Sequence, residues 1–280
     1  MRYVRRPLST SFLLAALAIG AGEAAAQTPP DEPGAPARLD TSPRHGEWVD
    51  VPLAGGSTPI RSWVVYPERA TNAPVVIVIQ EIYGLTDWIR GVADQLAADG
   101  FIAIAPDLLS GMGPGGGGTA AYPNRDAVVA GVRALTPEES MRRLDAVYAY
   151  ARTIPSASGR IGVVGYCWGG GTSFAYAAHK PELGAAVVYY GTSPSSPDAY
   201  RRINAPVLGL YGEDDQRVNA TIQPARDAMG SLGKTYEVEI YAGAGHGFLR
   251  AQADREGANM RATQAAWPRT IAFFRQHLGQ

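Results

Sequence analysis

The sequence contains one cysteine, Cys167, in a segment that could carry nucleophilic chemistry. The residues GYCWGG at 165–170 end the apolar run RIGVVG and precede a segment with helical character. This pattern is typical of a sharp strand-to-helix turn that exposes a nucleophile, and its glycines provide the space that the turn requires. The thiolate form of a cysteine is favoured at a helix N-terminus. The pattern therefore predicts a nucleophilic thiol, with a buried core cysteine as the alternative.

His246 is the histidine best placed to activate this thiol. It follows the run YEVEIY in the glycine-rich segment YAGAGHGF, whereas a solvated or capping role is expected for the others: His45, His179 and His277. The acidic segment GEDD at 212–215 precedes His246, so the chain order is nucleophile, acid, histidine, as in hydrolases with a catalytic triad. Spacing from the preceding strand favours Asp215 as the acid, with Asp214 as the second choice.

Short runs rich in β-branched residues predict the strands that position these groups. They lie at 62–66, 75–80, 101–105, 161–165, 185–190, 207–212 and 236–241. Segments with helical spacing separate most of them, with Thr86 and Thr136 placed as caps and Glu139 placed to complete a capping box. Alternating strands and helices predict a single α/β domain, with a mostly parallel sheet and helices on both faces. Reactive groups collect beyond the carboxyl ends of such strands.

Composition limits the classes of function. A chain of 280 residues with 46% hydrophobic content can bury one sizeable core. A net charge of −1 provides no broad basic surface, so nucleic acid is not expected as a partner. No cluster of His, Cys and Asp has metal-ligand spacing, so neither a metal nor another cofactor is expected. One cysteine cannot form an internal disulfide, and a monomer is favoured.

The N-terminus resembles an export signal. Arginines precede the apolar run SFLLAALAIGAG, and the small residues Ala24 and Ala26 predict cleavage before Gln27. We therefore expect a signal peptide at 1–26, a periplasmic or secreted protein, and no stable membrane association after cleavage. A retained anchor is the alternative, and the export route, Sec or twin-arginine, is open. The segment 27–46 is rich in Pro and small polar residues, which predicts a flexible lead-in to a domain at 47–280.

Four motifs together resemble the dienelactone hydrolase family. They are QEIYGL at 80–85, GYCWGG at 165–170, GEDDQRV at 212–218 and GAGHGFLR at 243–250, and the likeness runs from about Pro52 to Leu278. The resemblance implies an α/β-hydrolase fold and a triad of Cys167, Asp215 and His246. It also implies hydrolysis of small lactones or esters, of carboxymethylenebutenolidase type, without a cofactor.

The resemblance gives further residues a role. Glu81 matches a glutamate that hydrogen-bonds the resting thiol and takes part in forming the thiolate, and a buried carboxylate at this strand end could accept that proton. The backbone N–H groups of Trp168, the residue after the nucleophile, and of Ile82 are expected to form the oxyanion hole. Acyl transfer would then pass through a thioester on Cys167.

The sequence determines the substrate less closely than it determines the fold and the reaction. The family binds the carboxylate of dienelactone with two arginines, and Arg250 matches one of them, with Tyr83 as a further substrate-binding candidate. Gly111 stands about where the second arginine is expected, and Arg125 is either a replacement or a surface residue. The glycine run at 115–118 predicts a mobile flap beside the site. Two other functions are open: a broad-specificity exported carboxylesterase, and a non-catalytic binding protein on a hydrolase fold.

Overall fold

The computed structural model describes residues 27–56, 58–69 and 71–279. The predicted signal peptide at 1–26 lies outside the described residues. No helix within those ranges combines the length and the apolar content that crossing a membrane would require.

One sheet of eight strands forms the centre of the described chain, in the order β1-β2-β4-β3-β5-β6-β7-β8. The six strands from β4 to β8 in this order run parallel, while β2 is antiparallel to both of its neighbours. The strands are β1 (Gly46–Val51), β2 (Ile60–Val65), β3 (Ala73–Ile79), β4 (Ile102–Pro106), β5 (Ala157–Tyr166), β6 (Ala185–Tyr189), β7 (Val207–Gly212) and β8 (Tyr236–Tyr241).

Helices cover both faces of this sheet. They are α1 (Ala35–Asp40), α2 (Asp87–Ala98), α3 (Arg125–Ala134), α4 (Pro137–Ala151), α5 (Trp168–His179), α6 (Pro197–Arg202), α7 (Gln216–Asn219), α8 (Ile222–Ser231) and α9 (Ala258–Leu278). Short 3₁₀ turns lie at Pro114–Gly116, Thr119–Ala121 and Arg255–Gly257. One core lies between the sheet and α4, α5 and α8, and the other between the sheet and α1, α2 and α9.

The expected α/β architecture is confirmed. Strands β3, β4 and β6 are buried along their whole length, as the continuous apolar runs predicted for strands covered on both faces. Strand β1 was not predicted from the sequence. Its residues GEWVDV form an edge strand with mostly exposed side chains, so it carries no continuous apolar run.

The predicted helix caps are present, but one of them lacks half of its expected contacts. Thr86 accepts a hydrogen bond from the backbone of Ile89 at 3.4 Å, and Thr136 accepts one from the backbone of Glu139 at 3.2 Å. The Glu139 side chain does not complete a capping box. Its carboxylate binds Arg142 at 2.7 Å and Arg143 at 2.6 Å, because these charged partners on the next turn bind it more strongly than a backbone N–H does.

The segment 27–46, expected to be flexible, is packed against the domain. The buried Trp88 indole donates to the carbonyl oxygen of Pro30 at 3.0 Å, and the buried Gln252 amide donates to that of Pro29 at 3.0 Å. Ala35 in α1 is fully buried against α2. The segment has no apolar period, so its order comes from polar contacts. Its backbone carbonyls satisfy buried donors of the domain, and the Arg44 guanidinium pairs with the buried Asp94 at 2.9 and 2.5 Å.

The glycine-rich run at 115–118, predicted to be a mobile flap, is exposed at Gly115 and Gly116, while Thr119 directly after it has defined contacts. The carboxylate of Asp107 accepts hydrogen bonds from the backbone and the hydroxyl of Thr119, both at 2.7 Å. The same hydroxyl accepts a bond from the backbone of Leu85 at 3.1 Å. A buried acid therefore ties this run to the loop that follows β3.

The tightest packing in the fold lies where the first turn of α5 meets the sheet. A Cβ added at Gly165 would overlap the backbone of Gly169, and one at Gly169 would lie 2.6 Å from the carbonyl oxygen of Ile79. Backbone atoms cannot move aside as the end of a flexible side chain can. Glycine is therefore required where α5 approaches the carboxyl ends of β3 and β5.

We expect Gly169→Ala to destabilise the protein by about 1 to 3 kcal/mol or more, because the added methyl group overpacks a backbone contact. Gly230→Ala is the matched control, since its Cβ meets nothing within 4 Å and lies inside α8. That variant should be as stable as the wild type or about 0.5 to 1 kcal/mol more stable. Urea denaturation measures both, and equal stability of the two variants would contradict the packing argument.

Candidate active site

Four strands of the parallel region end at the same edge of the sheet, and each is followed by a residue of the predicted site. Glu81 follows β3, Cys167 follows β5, Asp215 follows β7, and His246 follows β8. Because neighbouring parallel strands present their carboxyl ends at one edge, residues far apart in sequence meet there.

Cys167 has the backbone conformation of a strained turn. Its φ of 55° and ψ of −115° lie outside the regions that residues with a side chain normally occupy. Its N–H donates to the carbonyl oxygen of Tyr189 at 3.1 Å, and it occupies the N-cap position of α5. The thiol is partly exposed. The structure therefore presents Cys167 as the predicted elbow did, at a helix N-terminus and accessible to a ligand.

Asp215 is the acid that meets His246. Its Oδ2 lies 2.5 Å from Nδ1 of the His246 ring, and its side chain is buried. The two neighbouring acids have other partners: Asp214 forms an ion pair with Arg255, and Glu213 accepts a hydrogen bond from the backbone of Gly243 at 2.9 Å. The spacing favoured Asp215 over Asp214 as the acid, and in the structure Asp215 is the one beside His246.

The contacts of His246 favour its protonated form. Burial lowers the pKa of the ring, but hydrogen bonding to Asp215 and to Cys167 outweighs burial and raises the pKa to about 9. The Tyr190 ring packs edge-on against the imidazole at 5.2 Å between centroids. Because Nδ1 faces Asp215, Nε2 is the nitrogen left to exchange a proton with the thiol.

A cavity of about 770 Å³ opens beside Cys167. Ile82 and Trp168 line it, and within the described residues neither backbone N–H donates a hydrogen bond to another group of the protein. These are the two donors predicted for an oxyanion hole. The rest of the lining is mixed, with apolar side chains, hydroxyl groups and two arginines for which no ion pair is present in the described chain. These residues are Leu135, Pro137, Met141, Ala175 and Pro194, then Ser140, Thr172, Thr192, Ser193 and Ser195, then Arg133 and Arg217.

Glu81 is buried, but its contact differs from the expected one. Its Oε2 forms an ion pair with Nε of Arg250 at 2.9 Å, and no hydrogen bond joins it to Cys167 among the described contacts. Burial raises the pKa of the Glu81 carboxyl to about 7, against the opposing effect of the Arg250 guanidinium. The reason for the difference is that an arginine offers a buried carboxylate a charged partner, whereas a thiol is a weak donor.

Arg250, expected to be free to bind substrate, belongs to a larger cluster. Its Nη1 lies 2.5 Å from Glu32, whose other carboxylate oxygen lies 2.7 Å from Arg125. Both guanidinium groups lie over the Tyr83 ring, with Cζ at 3.6 Å from the ring centroid for Arg125 and at 5.4 Å for Arg250. Sequence reasoning placed Arg250 and Tyr83, left Arg125 undecided, and missed Glu32, because that residue lies in the segment expected to be flexible.

Gly111, where a second arginine was expected, cannot carry one without strain. Its φ is +78°, and an added Cβ would lie 2.9 Å from the side chain of Thr58. Arg125 is the second arginine beside Arg250 in the structure.

The remaining histidines lie elsewhere: His179 pairs with Asp145 at 2.8 Å, His45 lies 3.8 Å from Glu47, and His277 is in α9. No group of three potential ligands for a metal ion is found in the part of the chain that the structure describes.

The sheet order, the elbow after β5, and the acid and histidine after β7 and β8 together define an α/β-hydrolase. The model of the dienelactone hydrolase family matches residues 60–278. The chain belongs to the dienelactone hydrolase family and is a hydrolase of ester or lactone bonds, so the resemblance predicted from four motifs is confirmed.

Individual relatives agree with this assignment. A candidate carboxymethylenebutenolidase of Methylorubrum extorquens is 34% identical over 242 residues, which cover 82% of this chain and 80% of the relative. One of Salmonella typhimurium is 33% identical over 245 residues, with coverage of 83% and 87%. The crystal structure of a candidate dienelactone hydrolase from Klebsiella pneumoniae is 30% identical, with a TM-score of 0.73 and coverage of 83% and 99%.

We expect Asp215→Asn to lower the pKa of His246 from about 9 to near or below 6.5, because the buried ring then keeps the cost of burial without its anionic partner. Asp214→Asn removes the same charge from the adjacent position and should leave the pKa of His246 near its wild-type value. NMR titration of the imidazole signals measures both. A fall of equal size in the two variants would exclude a specific Asp215–His246 contact.

Proposed function

We propose that the protein is a cysteine-dependent hydrolase of small lactones or esters, acting through a thioester acyl-enzyme. The observation that carries this proposal is the geometry around His246. Its Nδ1 is 2.5 Å from the buried Asp215, and its hydrogen bonding to Cys167 contributes to its raised pKa. Nucleophile, base and orienting acid are the three groups that acyl transfer requires.

The chemical steps follow from these positions. Glu81 takes the thiol proton and returns it to the sulfur at the end of the cycle. The thiolate sulfur bonds to the substrate carbonyl carbon while the N–H groups of Ile82 and Trp168 stabilise the developing oxyanion, and His246 is protonated at this stage. The C–O bond then breaks, the alkoxide leaves with the proton from His246, and a thioester remains on Cys167. Water, deprotonated by His246, attacks the thioester and releases the carboxylic acid and the thiolate.

The cavity favours a small acyl group with apolar and polar parts. Its volume of about 770 Å³ lies within the range of small-molecule sites. The relatives point in the same direction: several are candidate carboxymethylenebutenolidases, and a Bradyrhizobium relative, 29% identical over 244 residues, is a candidate 2-oxo-3-(5-oxofuran-2-ylidene)propanoate lactonase. Unsaturated five-membered lactones are therefore the first substrates to test.

A broad-specificity carboxylesterase is the second candidate. Specific observations favour it: the carboxylate-binding arginines are already paired with Glu32 and Glu81, and apolar side chains form part of the cavity lining. Comparison of unsaturated lactones with simple aryl esters separates the two functions. A non-catalytic binding protein would hydrolyse neither.

Activity as an exported monomer, periplasmic or secreted, is part of the proposal. Fractionation of cells that express a tagged full chain tests the location.

Glu81 has a proposed role in activating the thiol. A carboxyl group with a pKa of about 7 can accept a proton near neutral pH, and it follows β3 at the edge where Cys167 follows β5. In the present arrangement it faces Arg250. We infer that Glu81 turns from Arg250 to the thiol when a substrate occupies the cavity, while Arg250 keeps its pairing with Glu32.

We expect iodoacetamide to abolish activity by adding one carbamidomethyl group to Cys167. This is the single cysteine of the chain, so the loss of activity and the mass increase report on the same residue. Cys167→Ala should lower kcat by at least about a thousandfold, because the nucleophile is absent.

Two controls accompany this experiment. Cys167→Ala should gain no mass from iodoacetamide, and a competing substrate should slow the modification of the wild type. Trapping of an acyl adduct on Cys167 by rapid acid quench and mass spectrometry tests the thioester directly. Full activity after complete alkylation would remove Cys167 from the mechanism.

We expect Glu81→Gln to slow acylation by roughly a hundredfold and deacylation much less, because its proposed task ends when the thiolate has attacked. In the wild type, kcat/KM should rise as the pH passes about 7 and Glu81 ionises, and this rise should be lost in the variant. Single-turnover kinetics and a pH profile measure these effects. Glu213→Gln, at an exposed carboxylate of the same sheet edge, is the control. A change in KM alone would limit Glu81 to holding Arg250.

A further inference from the structure

The carboxylate of Glu32 bridges two arginines beside the reaction centre. One oxygen lies 2.7 Å from Arg125 and the other 2.5 Å from Arg250, and the backbone N–H of Glu32 donates to the carbonyl oxygen of Arg250 at 3.0 Å. Two cations converging on one carboxylate form the arrangement by which proteins bind a carboxylate ligand. Here the chain itself supplies that carboxylate.

The surroundings of Glu32 fix this contact in place. The Tyr83 ring lies under both guanidinium groups and holds them on one surface. On the N-terminal side of Glu32, the carbonyl oxygens of Pro29 and Pro30 accept hydrogen bonds from Gln252 and Trp88. On its C-terminal side, Ala35 is buried. With anchors two to three residues away on either side, Glu32 is presented to the arginines at little further cost in conformational entropy.

The bridged arginines lie next to the groups that react. Arg250 contacts Glu81, the residue before the oxyanion-hole donor Ile82, through its Nε. Its Nη2 lies 3.5 Å from the position of a Cβ on Gly247, the residue after His246. A substrate carboxylate bound to these arginines would therefore lie close to the carbonyl under attack.

We propose that Glu32 occupies the carboxylate subsite formed by Arg125, Arg250 and Tyr83, and thereby selects substrates that carry no carboxylate beside the reacting carbonyl. This inference rests on the proposed hydrolase function and names the substrate class of the same site. An anionic substrate must displace Glu32, which is also a like charge, whereas a neutral ester or lactone leaves the bridge intact. Arg125 takes the place of the arginine that Gly111 lacks, and Glu32 neutralises it.

The kinetic test compares a carboxylate-bearing lactone with its methyl ester in wild type and Glu32→Gln. The variant should raise the ratio of kcat/KM for the acid to that for the ester by about fivefold, the size expected for loss of an ion pair worth about 1 kcal/mol. The gain should come from KM. Adding Arg125→Ala to Glu32→Gln should remove most of the gain, because the freed arginine is then absent.

Asp31→Asn is the matched control. Asp31 is the adjacent acid, and it caps the backbone of Gly34 at 2.9 Å without contacting either arginine. Asparagine keeps an acceptor for this cap and removes the same unit of charge from the same segment. A substrate ratio that rises equally in Asp31→Asn and Glu32→Gln would show a general charge effect and overturn the proposal.

A binding measurement keeps the test independent of catalysis. Calorimetric titration of Cys167→Ala and of Cys167→Ala with Glu32→Gln uses adipate, a dicarboxylate that cannot be hydrolysed. The second protein should bind adipate about fivefold more tightly, even if the proposed thiol chemistry is wrong. Equal affinities in correctly folded proteins would overturn the proposal. Tighter binding that is lost in Arg217→Gln but kept in Arg125→Ala would also overturn it, since the anion would then bind at Arg217 in the cavity beside Cys167.

Discussion

The close contact between the first turn of α5 and the carboxyl ends of β3 and β5 is the constraint on which the site depends. Glycines at 165 and 169 allow backbone to meet backbone there, and Cys167 takes up the required turn with a φ of 55°. The contact sets the thiol at the helix N-terminus and places Trp168 in the lining of the cavity. It also brings the loop after β3 to the same cavity, which Ile82 lines together with Trp168. The proposed nucleophile and the proposed oxyanion hole thus both depend on one packing contact.

A second feature of the site is a row of alternating charges, Glu81, Arg250, Glu32 and Arg125. The buried carboxyl of Glu81 would be costly to ionise alone, and its pKa of about 7 shows that Arg250 offsets only part of that cost. Glu32 pairs with the same arginine, so Arg250 stabilises the ionised form of Glu81 less than it would without Glu32. Occupation of the arginines and the protonation state of Glu81 are therefore linked, because each carboxylate competes for one guanidinium.

Features that depend on residues near each other in the chain could be predicted from the sequence, whereas contacts between distant residues could not. The elbow at Cys167, the caps at Thr86 and Thr136, and most strands depend on neighbours in the chain, and the sequence predicted them. The choice of Asp215 was also possible, because strand and loop lengths limit which acid can reach the histidine after the next strand. The partners of Glu81 and Arg250 could not be predicted in this way. The contact between Glu32 and Arg250 joins residues 218 positions apart, and no local pattern records it.

The missed contacts share one physical origin. Residues 27–46 have the composition of a linker, so the sequence offers no apolar stripe to predict their packing. Part of their order comes from carbonyl groups that satisfy the buried donors of Trp88 and Gln252, and any residue type can supply a carbonyl. The rest comes from single polar side chains such as Arg44, which pairs with the buried Asp94 across 50 positions of sequence that no local pattern records. Glu32 is the residue in this segment whose side chain reaches the two arginines. A segment with the composition of a linker thus contributes a charge to the pair of arginines next to the proposed active site.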